Sequence, residues 1–522
     1  MTDSARAAIS LVASPSMVAG ETLGGCWKAR CRQTPDSVFL ISEGRELTYG
    51  EVDRMVDGAV SLMGQVGLGQ GDIVALQMDT GVACVVMILA CFKSGLVVMP
   101  QSPRLNMDEA SFMVGQMEPS FLMLDHDDGP LVQACLSRPE EYREVDTGFG
   151  GRSCTMVIRR KSVTACRFNG ADQVSGKPGD RPAAILCTSG TTSHSKGCVL
   201  SDRNILASEI AFNKVYGIGD RDRLILASGF YHAIGFHHGI VSTMLSGGSM
   251  VLLRHYSGRD MVRLARRYGC TYTVTVPTVV YDLLDLYRTG DPLERIISGG
   301  SPLSVPLLAK ARDIGLPLYN IYGLTECAPF SCTTPVYFRD HGCMTTAGFP
   351  IEGTCVRLVD ASGDVITGPD HPGQILVQGQ TVFQGYYRNQ TETARVLTED
   401  GWFSTGDLGH LTKDGALVTD GRIKDLVIRA GENISASLVE KYLMGHPDIA
   451  EAAVVGLQDQ RLGERIGAFV VMKDGRPPLN LEQVKEYMAA HGVIKKFWPE
   501  ELVVRDSLPK TGSGKIKKYL LQ

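Results

Sequence analysis

The sequence predicts an α/β protein: a large N-terminal domain of layered α/β sheets that carries a small antiparallel β region, followed by a small C-terminal α+β domain. Three observations carry this. The chain has 522 residues, and a single core rarely grows beyond ~250–300 residues, so more than one domain is expected. Up to about residue 340, short apolar runs alternate with segments of helical spacing, the pattern of helices layered on largely parallel sheets. Beyond that point short runs alternate apolar and polar residues between Gly-, Asp- and Pro-containing turns, which is how antiparallel strands with one solvated face read.

Taken in order, Asp72–Gln77 is predicted as a strand, and Val82–Phe92 as a buried helix. That apolar run has eleven residues, where a membrane span needs ~20. Ala183–Cys187, Leu224–Ala227, Met250–Leu253, Thr271–Val276 and Arg295–Ile297 are further buried strands. Asp260–Tyr268 and Ser304–Ile314 have helical spacing. Val356–Asp360, Gln374–Gln378 and Ala416–Thr419 form the antiparallel region. Asp420-Gly421-Arg422 breaks the pattern, and a compact βαβ-like texture follows. The expected division is therefore 1–423 and 424–522. There is no internal repeat.

Composition narrows function. The chain is 44% hydrophobic and 21% charged with a net charge of −5, so it has the apolar residues to offset ordering entropy. No basic block of nucleic-acid-binding type exists. The start lacks the basic and long apolar regions of a secretory signal, so a cytoplasmic location is expected. The fourteen cysteines show no tight matched pairs; Cys26/Cys31 and Cys327/Cys332 are the nearest. Reduced thiols serving as small core residues are expected. No His-Glu-x-x-His or Gly-x-Ser-x-Gly pattern occurs, which disfavours metalloprotease and α/β-hydrolase chemistry.

The strongest local signal is Thr188-Ser189-Gly190-Thr191-Thr192-Ser193-His194-Ser195-Lys196-Gly197, directly after a predicted strand. Glycines expose backbone N–H groups, hydroxyls add donors and Lys196 adds charge, a set that suits a polyphosphate. It is not a Walker loop, because Lys196 precedes Gly197. Further segments follow in order: Gly229-Phe230-Tyr231-His232-Ala233-Ile234-Gly235, Gly299-Gly300-Ser301-Pro302-Leu303, Tyr319-Asn320-Ile321-Tyr322-Gly323-Leu324-Thr325-Glu326, Trp402-Phe403-Ser404-Thr405-Gly406-Asp407, Gly421-Arg422-Ile423-Lys424-Asp425, Gly431-Glu432-Asn433-Ile434 and Leu508-Pro509-Lys510-Thr511-Gly512-Ser513-Gly514-Lys515.

Together these resemble the ordered motifs of the adenylate-forming superfamily of acyl-CoA synthetases, peptide-synthetase adenylation domains and luciferases, from about Asp36 to the C-terminus. Ser193, Ser195 and Cys198 stand where that family usually has Gly, Pro and Val. The resemblance implies attack of a carboxylate on the α-phosphate of ATP, giving an acyl-adenylate and pyrophosphate, then transfer of the acyl group to CoA. It implies that Thr188, Ser189, Gly190, Thr191, Thr192 and Lys196 hold phosphates, with Thr188 among the catalytic candidates. Glu326 is implied as the Mg2+ ligand, beside Thr325; magnesium keeps several waters, so one carboxylate suffices. Asp407 and Arg422 are implied ribose contacts. Gly300, Ser301, Pro302 and Asn320 to Gly323 are implied to hold adenine, with Tyr322 against its ring. Lys515 is the implied catalytic lysine on a mobile loop, and His232 lies near the substrate carboxylate. The small C-terminal domain is implied to rotate about Lys424, bringing Ala430 and Gly431 to a thiol channel; many relatives have Gly at the position of Ala430.

Tyr231–His238, Pro277–Tyr281, Gly299–Ser301 and Gly323–Phe330 are expected to line the acyl pocket. The first three carry no charged side chain, which favours a medium or bulky hydrophobic acid. His237 and His238 are read as structural. The expected partners are a small-molecule carboxylic acid and CoA or an acyl carrier protein, with no nucleic acid and no membrane span, in a monomer or homodimer. Alternatives are an acyl-adenylate ligase serving a carrier protein, and, from another class, a luciferase-like monooxygenase or a non-catalytic binding protein.

Overall fold

A computed structural model describes residues 21–124, 130–138, 140–145, 156–159, 179–188, 195–226, 228–334, 345–510 and 516–522. Two large sheets dominate. In the first, Leu318–Tyr322, Arg295–Ser298, Tyr272–Thr275, Arg223–Leu226, Ser249–Leu252 and Val38–Ser42 lie side by side in that order, all parallel. Antiparallel Arg45–Thr48 closes one edge, and Cys332–Thr333 with Phe349–Pro350 closes the other. In the second, Pro182–Cys187, Val97–Pro100, Ile73–Gln77 and Phe121–Leu124 are parallel. Gly197–Ser201 and Gly385–Tyr386 extend it antiparallel on one side, Met156–Arg159 and Tyr142–Val145 on the other. The parallel strands expected from sequence are thus the sheet centres. Ala227, the expected end of one of them, lies outside the described residues.

These strands read as unbroken apolar runs because both faces are covered. All five positions of Ile73–Gln77 are buried. Helices Leu23–Gln33, Tyr49–Gln65, Val82–Ser94 and Asp202–Tyr216 share one core with the inner faces of both sheets. Val82–Ser94 buries every residue from Cys84 to Phe92 and stops at Gly95, whose φ of 73° suits a left-handed cap. Phe92 meets Phe236 edge-on with centroids 5.8 Å apart, and truncating such a ring costs ~3–5 kcal/mol. Helices Gly258–Tyr268, Pro277–Leu286 and Val305–Asp313 cover the outer face of the first sheet. Met107–Met117 and Pro130–Leu136 cover that of the second.

The antiparallel region is a five-stranded sheet in the order Val365–Ile366, Thr354–Val359, Gly373–Gly379, Phe403–Leu411, Leu417–Arg422. The chain then builds a fourth sheet with a separate core that includes Val427, Val439, Val454, Ile466 and Val484. Its strands Glu432–Ser435, Leu426–Arg429, Gly463–Met472 and Ile449–Asp459 pair antiparallel. Only Gly463–Met472 and Glu501–Val504, joined through helix Leu481–Ala490, make the expected parallel βαβ unit. Among the described residues the cysteines are free thiols, and no helix is long and apolar enough to cross a membrane.

Candidate active site

The hydroxyl- and glycine-rich segment is the turn between antiparallel strands Pro182–Cys187 and Gly197–Ser201. Cys187 pairs with Gly197. The turn is pinched just beyond that pair: Thr188 N–H donates to the Lys196 carbonyl at 2.9 Å, and Lys196 N–H donates to Thr188 Oγ1 at 3.3 Å. Ser189, Gly190, Thr191 and Thr192 lie outside the described residues, as does Lys515. Lys196 and Thr188 therefore mark the two feet of the loop.

The Lys196 ammonium is not idle. It pairs with Glu392 Oε2 and sits 4.8 Å from the ring centre of Tyr386, a cation–π distance. Glu392 lies in the helix Gln390–Val396, capped by Asn389, and also accepts from Arg395 at 2.7 Å. The two cations hold its carboxyl below its ordinary value, Lys196 contributing most. Tyr386 in turn donates its hydroxyl to Glu326 Oε1 at 2.8 Å. Burial and the Glu326 carboxylate push that phenol far up, so it remains a donor.

Glu326 occupies the one-turn 3₁₀ helix Thr325–Cys327 after the parallel strand Leu318–Tyr322. This is the carboxyl end of a sheet strand, where α/β proteins place ligands. The chain doubles back here so closely that a Cβ on Gly323 would stand 1.7 Å from the Pro329 carbonyl oxygen. Only glycine fits, and the reversal buries Glu326 while keeping it beside Tyr386.

Asp407 faces Arg422 across the antiparallel pair of strands Phe403–Leu411 and Leu417–Arg422. Arg422 Nε lies 2.9 Å from Asp407 Oδ1, and the Tyr322 hydroxyl donates to Oδ2 at 2.8 Å. Burial, then Asp407, raises the Tyr322 phenol. Tyr322 thus presents its ring beside Asp407 with its hydroxyl spent. Asn320 is buried and donates its side-chain N–H to the Thr346 carbonyl at 2.7 Å. Gly300, Ser301 and Pro302 form an exposed turn, with φ of 82° at Gly300 and Ser301 Oγ donating to the Gly300 carbonyl at 2.8 Å.

His232 is half-buried, its ring 4.3 Å from that of Tyr231. It precedes a π-helical stretch, Ile234–Val241, that the sequence did not announce. Lys424 lies in the 3₁₀ turn Ile423–Asp425; desolvation, then Arg422, pushes its ammonium below its ordinary value. Ala430 and Gly431 form the exposed two-residue turn of the hairpin Leu426–Arg429/Glu432–Ser435. The turn does not approach Lys196 or Glu326 through any contact among the described residues.

The structure therefore gathers Lys196 with Glu326, and Tyr322 with Asp407 and Arg422. Sequence reasoning missed Tyr386, which links Lys196 to Glu326, and Glu392, which holds Lys196 from 196 residues further along the chain. A tyrosine six residues before a carboxylate in the first turn of a helix carries no signal of that kind by itself.

Comparison with known proteins places the chain in a family. The AMP-binding enzyme family model matches residues 27–387, and the AMP-binding enzyme C-terminal domain model matches residues 438–515. Medium-chain fatty-acid–CoA ligase of Escherichia coli is 30% identical over 514 residues, covering 96% of this chain and 90% of that protein. Fatty acid–[acyl-carrier-protein] ligase ScoC of Streptomyces coeruleorubidus is 30% identical, covering 96% of both. Among solved structures, o-succinylbenzoate CoA synthetase (MenE) of Bacillus subtilis, in complex with its acyl-adenylate intermediate, superposes with a TM-score of 0.82 at 25% identity, covering 95% of this chain and 97% of that one. The same enzyme in complex with ATP and magnesium ion also has a TM-score of 0.82. On these matches, which span nearly the whole chain, the protein belongs to the AMP-binding enzyme family and is an AMP-forming ligase of the acyl-CoA synthetase type.

Proposed function

We propose that the protein activates a medium or bulky hydrophobic carboxylic acid with ATP and transfers the acyl group to CoA. The observation that carries the reading is the linkage of Lys196 to Glu326 through Tyr386. A phosphate-loop cation and an acidic metal ligand must stand over the same triphosphate, and one tyrosine holds both. Glu326 suits Mg2+, which takes hard oxygen ligands and keeps most of its waters; held there, magnesium would offset the charge of the phosphates. Asp407 accepts the ribose hydroxyls, with Arg422 beside it. The substrate carboxylate attacks the α-phosphorus and pyrophosphate leaves. Charge on the phosphoryl oxygens is met by Lys196, by the hydroxyls of the loop and by Lys515, so catalysis is chiefly positioning and electrostatics.

In the second step the thiol sulfur attacks the acyl carbon and AMP departs. The domain boundary falls at Lys424, and rotation there exchanges Lys515 for the Ala430-Gly431 turn. The similarity to an acyl-carrier-protein ligase supports a second reading, in which the acceptor thiol is the pantetheine of a carrier. A panel of acids assayed for pyrophosphate release, with CoA, with carrier protein and with neither, separates the two. Release that no acid stimulates would remove the ligase reading altogether.

A further inference from the structure

A buried polar cluster stands apart from the nucleotide residues. The helix Asp202–Tyr216 places Ile205, Glu209, Phe212 and Tyr216 on its buried face, and Glu209 is fully buried. Two histidines reach it from the π-helical stretch Ile234–Val241. His238 Nδ1 lies 3.0 Å from Glu209 Oε2, and His237 Nδ1 lies 3.8 Å from Oε1. Ser208 Oγ donates to Oε1 at 2.8 Å. His238 stacks on Phe212 with centroids 4.2 Å apart and meets Phe330 edge-on at 6.0 Å.

A helix-to-helix tie explains Glu209 and one nitrogen of His238. It does not explain the rest. His238 Nε2 and both ring nitrogens of His237 have no hydrogen-bond partner, although both residues are fully buried. Folded interiors rarely leave such atoms unsatisfied unless a ligand or water completes them. The cluster also has a telling position. His237 and His238 belong to the segment Tyr231–His238, and Phe330 ends the segment Gly323–Phe330, both assigned above to the acyl pocket. A π-helical turn is itself a frequent mark of a functional site.

We propose that Glu209, His237 and His238 form a polar inner end of the acyl pocket that binds a hydroxyl on the hydrocarbon part of the acid, so that the substrate is a hydroxylated aliphatic or aryl acid. This rests on the ligase reading above and narrows it. His238 turns Nδ1 to the Glu209 carboxylate, which leaves Nε2 as the ring atom that a ligand hydroxyl, donor and acceptor at once, can meet. Burial, then the neighbouring His238, pushes the His237 imidazole well below its ordinary value; a neutral ring there presents one donor and one acceptor. A hydroxyl can bond to His238 Nε2 and to His237 at once. A second carboxylate would meet the Glu209 charge, and an ammonium would be stripped of water beside a carboxylate already held by His238 and Ser208.

The test is acid-dependent pyrophosphate exchange by the full chain with matched pairs: octanoate against ω-hydroxyoctanoate, and cinnamate against para-hydroxycinnamate. The wild type is expected to favour the hydroxylated member of at least one pair by about 10²-fold in kcat/KM, since leaving built-in polar groups unpaired penalises the plain analogue. His238→Phe and His237→Leu should each bring that ratio towards one. Glu209→Gln, which can still bond to His238, should keep more of it than Glu209→Leu. The ratio is internal to each variant, so general destabilisation leaves it unmoved. A wild-type ratio near one for both pairs, or ratios unchanged in both histidine variants, overturns the proposal while leaving the ligase reading intact. Exchange with no acid at all overturns both.

Discussion

At the scale of single residues, Asp407 shows how neighbours orient a motif carboxylate. It sits between the Arg422 guanidinium and the Tyr322 hydroxyl, which fix its two oxygens. Asp407→Asn should lower ATP affinity by about 10- to 10²-fold, the worth of hydrogen bonds to a charged group. Calorimetry with ATP reads this directly, and unchanged affinity would take Asp407 out of the nucleotide site. Glu392 should act in the opposite sense. It holds the Lys196 ammonium; if phosphate must displace it there, Glu392→Gln should raise ATP affinity by a factor of about two to five, the scale of a partly exposed ion pair. An affinity that falls instead would mean that Glu392 positions Lys196 rather than competing for it. Asp407 and Arg422 were legible in the sequence because they lie in short ordered patterns. Glu392 and Tyr386 were not, since their partners are set by the antiparallel pairing of Gly385–Tyr386 with Gly197–Ser201, a long-range event.

At the scale of elements, turn chemistry decides most of what the sequence could and could not announce. The hairpin Leu426–Arg429/Glu432–Ser435 closes with only Ala430 and Gly431 between paired Arg429 and Glu432. Both turn residues have positive φ, 50° and 82°, as a type I′ turn requires. A methyl in that region is strained. Ala430→Gly should therefore stabilise the protein by ~0.5–1 kcal/mol after allowing for the freer unfolded chain, seen as a higher denaturation midpoint. An unchanged or lower midpoint would show that the hairpin carries no strain at this position. If the same methyl narrows the thiol channel, that variant should also speed thiol transfer and leave pyrophosphate exchange alone. The strands and helices of the sheets were legible because apolar runs and 3.6-residue spacing report burial. The π-helical stretch Ile234–Val241 was not: residue spacing does not report tertiary approaches such as that of Gly235, where a Cβ would meet the Gly229 carbonyl oxygen at 2.3 Å.

At the scale of the whole molecule, the two cores meet at a short turn whose geometry makes a specific prediction. Leu426 N–H donates to the Ile423 carbonyl, so Lys424 is the second residue of that turn. One contact crosses it, Ser435 bonding to the Asp420 carbonyl; within the C-terminal part, Lys518 pairs with Glu440 on the helix Ala436–Met444. The segment holding Lys515 leaves from Lys510 and returns at Ile516, which bridge each other. Lys517, just beyond, reaches within 4.0 Å of Glu109 on the large-domain helix Met107–Met117. The tail thus faces the large domain in the observed arrangement. Lys424→Pro should lock this arrangement by fixing φ near ~−65°. Adenylation should then persist and thiol transfer should fall, because rotation between the two states is hindered. Lys515→Ala should do the reverse, losing adenylation by at least about 10²-fold, the scale of one preorganised electrostatic contact, and sparing thioester formation from pre-made acyl-adenylate. Single-turnover measurement of each half-reaction in both variants decides the matter. Equal transfer rates for Lys424→Pro and wild type would remove the pivot from Lys424, and pyrophosphate exchange at the wild-type rate in Lys515→Ala would remove that lysine from the first step.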